Sequence, residues 1–143
     1  MTLDVVRLAQ PMPLHPELTA LSRPFWEALD SAIWVQSYCE NCDVWRFPPP
    51  ARNCPSCQHK LAWRSAPRNG TLYALTTVHA APPPFSSGAP YTIGLVDLRN
   101  GLRILSPIIS APRAPAPGDE VEVVQISYSD GSGYACRFAQ APP

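Results

Sequence analysis

The sequence predicts a mainly β protein in which a short N-terminal helix and a four-cysteine ribbon precede a C-terminal barrel of five strands. Three observations carry this prediction. Two Cys-x-x-Cys pairs stand eleven residues apart, five short runs rich in β-branched and aromatic residues follow them, and the 19 prolines lie mainly in connections. Because proline ends helices and stiffens loops, this distribution favours a loop-rich β fold over a helical bundle.

The N-terminal helix is predicted over about residues 23–31. Ser22 is its expected N-cap, and Pro24 suits its first turn. We expect its apolar side chains either to pack onto their own domain or to form an interface for a partner or an apolar ligand, since aromatic anchors dominate such interfaces. These side chains are Phe25, Leu29 and Ile33, widened by Trp26.

The two cysteine pairs predict a metal site. Two residues between cysteines let one tight turn, a knuckle, direct both sulfurs at one ion, and a structural zinc takes four thiolates at about 2.3 Å. The intervening segment fits a hairpin, with a strand over residues 44–47 and a turn at residues 48–50. The four ligands would be Cys39, Cys42, Cys54 and Cys57.

Other interpretations of the cysteines have less support. A disulfide pair suits an oxidising compartment, and no export signal indicates one. A rubredoxin-like iron site uses the same four thiolates, so iron stays open as an alternative to zinc. His59 could serve only as an alternative ligand. Because four thiolates fill a tetrahedral shell, we expect the ion to be structural and not a Lewis acid.

The five runs after Gly70 predict the strands of the barrel. Segments rich in proline, glycine and serine separate them, and no helix-length apolar pattern interrupts them, so a βαβ architecture is not expected. Five strands in roughly 75 residues fit a small closed barrel of the OB type. The runs are TLYALTTVH, YTIGLVDL, LRILSPII, EVEVVQIS and YACRFAQ.

These predictions divide the chain into a leader with its helix at 1–33, a zinc ribbon at 34–66 and the OB-type barrel at 67–143. The N-terminal segment carries Asp4 and several prolines, unlike a secretory signal, and no apolar run is long enough to span a membrane. The cytoplasm is therefore the expected compartment.

The charge balance argues against a polyanionic ligand. Eleven basic residues balance eleven acidic ones, and the arginines are scattered. A single-strand binder of the OB type needs a basic groove with exposed aromatic rings. Tyr73, Tyr91 and Tyr128 could stack on bases, so single-stranded nucleic acid stays as the alternative ligand, without electrostatic support.

Catalytic residues are not evident in the sequence. An isolated histidine at a strand end, such as His79, is more often a structural group than a general base. Cys136 is unpaired in an alternating strand, where burial as a small apolar side chain is expected. We therefore expect no catalysis by this chain alone.

The order of these motifs resembles the DUF35 family, whose members join a rubredoxin-like zinc ribbon to an OB-fold and are associated with acyl-CoA chemistry. The resemblance covers about residues 22–139. It rests on PFWEAL, the cysteine knuckles CENC and CPSC about a PPP turn, RNGTLYALTTVH, PYTIGLVDL, GLRILSPII, GDEVEVV and YACRF.

The resemblance implies an accessory subunit without catalytic residues of its own. Such a subunit docks onto a thiolase-fold enzyme or a MaoC-like hydratase in a hetero-oligomer, supports thiolytic, aldol or acyl-transfer reactions, and could contact the CoA of the partner's substrate. The candidate interface for the partner or an acyl ligand consists of Phe25, Trp26, Leu29, Trp45 and Phe47.

Three positions depart from the family pattern. Glycine commonly follows the second cysteine of each knuckle, whereas this chain has Asp43 and Gln58. Aspartate tolerates the left-handed conformation better than glutamine does, and we expect a local variation without loss of the metal. Pro107 cannot donate to a strand ladder, so its strand should lie at an edge or break there.

Overall fold

A computed structural model describes residues 2–48, 52–109 and 112–140 of the chain. Within these ranges it contains nine strands, one α-helix and one 3-10 turn. The elements are β1 (Val5–Arg7), α1 (Arg23–Asp30), β2 (Val35–Cys39), β3 (Val44–Arg46), β4 (Ala62–Ser65), β5 (Asn69–Val78), the turn Pro83–Gly88, β6 (Tyr91–Leu98), β7 (Arg103–Ile109), β8 (Glu120–Tyr128) and β9 (Gly131–Phe138). The turn predicted at residues 48–50 lies largely outside the described residues.

The predicted five-stranded barrel is confirmed. Its strand order is β5–β6–β7–β9–β8, and β8 pairs again with β5, so the sheet closes on itself. The pairing of β7 with β9 is parallel, and the other pairings around the barrel are antiparallel. Closure in this order leaves the barrel strands without a long open edge.

Strand β7 shows how the sequence pattern forms the barrel wall. Every second residue from Ile104 to Ile108 is buried, and the residues between them are exposed. Pro107 does not break the strand. One side of β7 pairs with β6, whereas the other side meets β9 only at Ile108 and Ile109, so the strand is an edge before the proline. An edge tolerates a residue without an N–H group.

The cysteine segment folds as a three-stranded antiparallel sheet with the order β3–β2–β4. The predicted hairpin strand is shorter than expected, because β3 ends at Arg46 and Phe47 follows it. Strand β4 completes the sheet by pairing with β2 from Val35 to Tyr38. We call this sheet with its two knuckles the ribbon.

The leader contributes a strand that the sequence did not predict. Strand β1 pairs in parallel with β8, and Val5 lies opposite Gln125. Leu3 is buried in the core, and Asp4 accepts a hydrogen bond of 2.6 Å from Arg137 of β9. The first residues are therefore packed onto the barrel, and the division of the chain at residue 33 stays a prediction.

Helix α1 is one residue shorter than predicted and ends in a Schellman motif. The Ile33 N–H donates to the Ala28 carbonyl and the Ala32 N–H donates to that of Leu29, both at 2.9 Å. Ala32 takes the left-handed conformation, with φ of 57°. Ser22 precedes the helix, but its side chain makes no capping hydrogen bond. Ile33 falls outside the helix and is exposed.

The main core joins the barrel to the helix and to the base of the ribbon. Trp34, just before β2, is fully buried among the helix residues Phe25 and Leu29 and the barrel interior. Within the described ranges, no helix has the length and apolar character needed to cross a bilayer. The barrel residues of this core are Leu72, Val96, Leu98, Ile104, Ile108, Val121, Val123 and Cys136.

Candidate metal centre and aromatic groove

The two knuckles bring four cysteine sulfurs together at the end of the ribbon distant from Trp34. All four Sγ atoms lie within 4.8 Å of one another. The Cys39 and Cys57 sulfurs are 3.5 Å apart, and those of Cys54 and Cys42 are 4.0 Å apart. Each of these contacts joins one knuckle to the other, so the cluster closes the ribbon.

The donor set fits a tetrahedral ion. Zinc–sulfur bonds of about 2.3 Å at tetrahedral angles place the sulfurs about 3.8 Å apart, between the two cross-knuckle distances observed. All four cysteines are free thiols, and Cys39 and Cys54 are buried. Zinc and iron both suit such a set, and either would be held by sulfur alone.

Backbone N–H groups point at the sulfurs and stabilise thiolates. The Cys42 N–H lies 3.3 Å from the Cys39 sulfur, and the His59 N–H lies 3.4 Å from that of Cys57. The His59 N–H lowers the pKa of the Cys57 thiol. Burial opposes ionisation of Cys54, but backbone N–H groups of Cys57 and Ser56 outweigh it and lower the pKa of Cys54 to about 6. A bound ion needs its ligands in the thiolate form.

One sulfur opposes this trend. Contact with the Cys57 sulfur, followed by burial, raises the pKa of Cys42 to about 12. Crowded sulfurs share their protons when they cannot all carry charge together. A cation held by all four sulfurs would therefore displace the remaining protons.

Both knuckles use the left-handed backbone that usually requires glycine. Asp43 has φ of 56° and Gln58 has φ of 65°. Each residue follows the second cysteine of its pair, where the chain must turn back on itself. Both knuckles thus have the expected geometry, although the left-handed conformation costs free energy at residues other than glycine.

An apolar groove of about 370 Å³ lies between helix α1, the base of the ribbon and strand β7. Its walls are mainly aromatic rings around Phe25, whose ring centroid is 5.1 Å from Phe47 and 6.1 Å from Tyr134. Arg103 stands at the groove, but its guanidinium pairs with Asp97 and stacks on Tyr73. The lining residues are Ser22, Phe25, Trp26, Phe47, Pro48, Trp63, Arg103, Ile104, Leu105 and Tyr134.

The structure brings together three of the five residues of the candidate interface. Phe25, Trp26 and Phe47 line the groove. Leu29 is fully buried and faces the core, and the Trp45 ring packs against Tyr38 on the ribbon. The assignment of these five residues to an interface stays a prediction.

Sequence reasoning missed most of the other groove residues. Trp63 comes from β4, Leu105 from β7 and Tyr134 from β9. Leu105 is 59% exposed on the outward face of β7. An exposed leucine between buried neighbours fits the alternation of any strand. Leu105 is therefore identified as a groove residue only by its position beside aromatic residues from other elements.

The side chains of the remaining candidates for chemistry belong neither to the sulfur cluster nor to the lining of the groove. His59 and His79 are exposed, and His15 forms an exposed pair with Asp130 at 2.9 Å. Burial raises the pKa of the Cys136 thiol to about 11, so this cysteine stays protonated, as its predicted burial implied. None of these groups is an activated nucleophile.

Comparison with known proteins agrees with this architecture. The family model for the C-terminal OB-fold domain of ChsH2 matches residues 63–125. A DUF35 domain-containing scaffold protein of Methanocaldococcus jannaschii is 34% identical over 89 residues, which are 60% of this chain and 62% of that protein. A protein of the same name from Methanothermobacter thermautotrophicus is 31% identical over 91 residues, 62% of this chain and 68% of its own length. The chain belongs to the DUF35 family.

Two solved structures share the fold of this DUF35 protein. The structure named Ltp2-ChsH2(DUF35) aldolase has a TM-score of 0.77 at 24% identity, with 88% of this chain and 100% of that chain covered. A DUF35 protein of unknown function from Sulfolobus solfataricus has a TM-score of 0.59 at 15% identity, with 84% and 86% covered. The chain spans 62% of the length of the first archaeal relative, so the similarity there is partial.

Proposed function

We propose that this DUF35 protein is a non-catalytic accessory subunit that docks onto a thiolase-fold enzyme or a MaoC-like hydratase in the cytoplasm. In that complex it supports acyl-CoA reactions such as thiolysis, aldol cleavage or acyl transfer. The observation that carries the proposal is the open aromatic groove beside the ribbon, whose lining includes no histidine, cysteine, aspartate or glutamate. The names of its relatives, two scaffold proteins and an aldolase, point the same way.

The groove has the composition of a docking surface. Energetic anchors of protein interfaces are enriched in tryptophan, tyrosine and arginine, and Trp26, Tyr134 and Arg103 all line this groove. The guanidinium of Arg103 is already neutralised by Asp97 at 2.6 Å. An apolar segment of a partner can therefore enter without leaving a charge unpaired.

The proposal includes structural zinc at the cysteine cluster. Cys39, Cys42, Cys54 and Cys57 would hold the ion, and four thiolates leave no coordination position for a substrate. The ion would fix the ribbon, and the ribbon supplies Phe47 and Trp63 to one wall of the groove. Metal binding would in this way support docking without taking part in the partner's reaction.

Docking is tested by co-expressing this protein with the thiolase-like and hydratase-like enzymes encoded beside it. Size-exclusion chromatography should show one of them eluting together with this chain. Leu105→Asp should weaken that complex by about tenfold or more, because it places a charge at the rim of an apolar interface. Leu14→Asp is the matched control, since Leu14 is 62% exposed and does not line the groove.

Two results contradict the proposal. One is that every such enzyme elutes alone and is fully active alone. The other is a stable complex that Leu105→Asp and Leu14→Asp weaken equally, which would place the interface elsewhere. Elemental analysis of protein grown with excess zinc tests the metal separately, and protein without zinc would overturn that part.

A further inference from the structure

Arg46 is the last residue of β3, and its side chain reaches toward the cysteine cluster. Its Nη2 atom lies 3.9 Å from the Cys54 sulfur and 2.9 Å from the Ser56 hydroxyl oxygen. Both contacts fall in the second knuckle, whereas Arg46 itself follows the first knuckle. The guanidinium therefore spans the two halves of the site.

The backbone of Arg46 is held in place by the ribbon sheet. Its carbonyl accepts a hydrogen bond from the Ser37 hydroxyl, and residues 37 and 46 pair in the ribbon sheet. The Arg46 Nε atom is buried and has no hydrogen-bond partner. A buried guanidinium N–H without a partner costs free energy, so another interaction must hold the side chain there.

The charge of a loaded cluster supplies that interaction. A divalent ion with four thiolates carries a net charge of about −2, and the site is only partly open to solvent because Cys39 and Cys54 are buried. A guanidinium beside one sulfur offsets part of this charge and donates to a thiolate more strongly than to a neutral thiol. Arg64 of β4 cannot replace it, because it stacks over Tyr38 at 3.8 Å and pairs with Glu40.

We propose that Arg46 is a positioning residue of the metal centre, which balances the charge of the metal–thiolate cluster and holds Cys54 as a ligand. Ser56 anchors the guanidinium in this role. The inference rests on the metal occupancy proposed above. It predicts that Arg46 sets how tightly the ion is retained, although it does not bind the ion itself.

The test measures zinc retention in the full-length chain. Zinc-loaded protein is mixed with a chromophoric chelator, and affinity and transfer rate are recorded for Arg46→Met, Arg46→Lys and Ser56→Ala. Loss of such an outer partner costs about 10- to 100-fold in metal affinity. Arg46→Met should show this loss of affinity. Arg46→Lys should recover most of the affinity because the charge remains. Ser56→Ala should lose less affinity than either arginine variant.

Arg64→Met is the matched control, because it removes an arginine of the same sheet that has no contact with a cysteine sulfur. It should retain zinc as the unaltered protein does. Cobalt substitution gives an independent readout, since the sulfur-to-cobalt absorption band reports the thiolate ligands directly. In Arg46→Met this band should change while far-UV circular dichroism stays constant.

Equal retention by Arg46→Met, Arg64→Met and the unaltered protein would overturn the proposal and leave the zinc site intact. If Arg46→Met does not fold, Ser56→Ala decides, and retention equal to that of the unaltered protein overturns the proposal. Protein that takes up neither zinc nor cobalt would remove both this inference and the metal proposal beneath it.

Discussion

The ribbon and the barrel are two β structures of one chain with opposite interiors. The barrel closes around apolar side chains from all five of its strands, and β9 contributes Cys136. The ribbon has three short strands, and the buried residues of its central strand include Gln36, Ser37 and Cys39. Apolar burial stabilises the barrel, whereas we expect the ribbon to depend on an ion held by its four sulfurs.

The two regions nevertheless meet in one aromatic cluster. Trp34 before β2 lies 5.6 Å from Phe25 of the helix and 5.2 Å from Tyr134 of β9, measured between ring centroids. The base of the ribbon is thus part of the barrel's core, whereas the buried Cys39 and Cys54 belong to neither apolar cluster of the described residues. From this difference we expect local stability to decline from the barrel toward the cysteines.

Metal removal should have the largest effect, and this effect should fall on the ribbon and not on the barrel. Chelation of zinc-loaded protein, or Cys42→Ser, should unfold the knuckles, because structural zinc contributes about 10 kcal/mol or more to folding of small zinc modules. Hydrogen exchange followed by mass spectrometry should show lost protection in β3 and the start of the second knuckle, with β6 and β7 still protected. Simultaneous loss of protection in both regions would show that they are one cooperative unit.

Removing Trp34 should affect both regions at once. The side chain is fully buried, and tryptophan-to-alanine changes in cores cost about 3–5 kcal/mol. Trp34→Ala should lower the free energy of unfolding of the barrel in urea and also speed zinc loss. Trp34→Phe is the control and should cost less, because the buried indole N–H has no partner in the described structure. A change confined to the ribbon would contradict the shared core.

Acid should weaken the barrel through Asp119, the residue before β8. In the barrel, the Arg113 guanidinium and then the Ala116 N–H lower the pKa of Asp119. Because the pKa is lower in the folded state, the carboxylate stabilises the fold above its unfolded pKa of about 4, and this contribution is lost as pH falls through the folded value. The Tm difference between the unaltered protein and Asp119→Asn should be a few degrees at neutral pH and should shrink progressively as pH falls below about 4. An undiminished difference in acid would contradict this role.

The smallest expected effect concerns the second knuckle. Gln58 is exposed and left-handed, so Gln58→Gly should relieve backbone strain and stabilise the ribbon by about 0.5–1 kcal/mol after the entropy cost of glycine. Asp43→Gly should gain less, because aspartate tolerates this conformation better. Chelator titration of ribbon unfolding would measure both changes. Equal stabilisation by the two variants would show that the residue type does not set the strain.

The sequence was sufficient wherever neighbouring residues determine the structure. The Cys-x-x-Cys spacing predicted the sulfur cluster, and runs rich in β-branched and aromatic residues predicted all five barrel strands. It was insufficient where distant segments meet. Strand β1 has three residues in a proline-rich leader, and its partner β8 comes late in the sequence. Nothing local to residues 5–7 indicates that pairing.

The same limit applies to the candidate sites. Phe47, Leu105 and Tyr134 stand on different elements, and the groove exists only because the barrel closure brings β7 and β9 beside the helix. Arg46 could not be distinguished from other arginines, since its contact with Cys54 depends on how the two knuckles face each other. The sequence shows that the arginines are scattered, but it does not show which arginine lies beside a cysteine sulfur.

The pairing of β1 with β8 has a consequence for how the chain folds during synthesis. The three ribbon strands pair among residues 35–65, so they can come together while the ribosome is still making the barrel. Strand β1 leaves the ribosome before all of them, yet it has no partner until β8 has been made. The earliest strand is therefore among the last to be placed, and in the interval the nascent leader is open to chaperones and proteases.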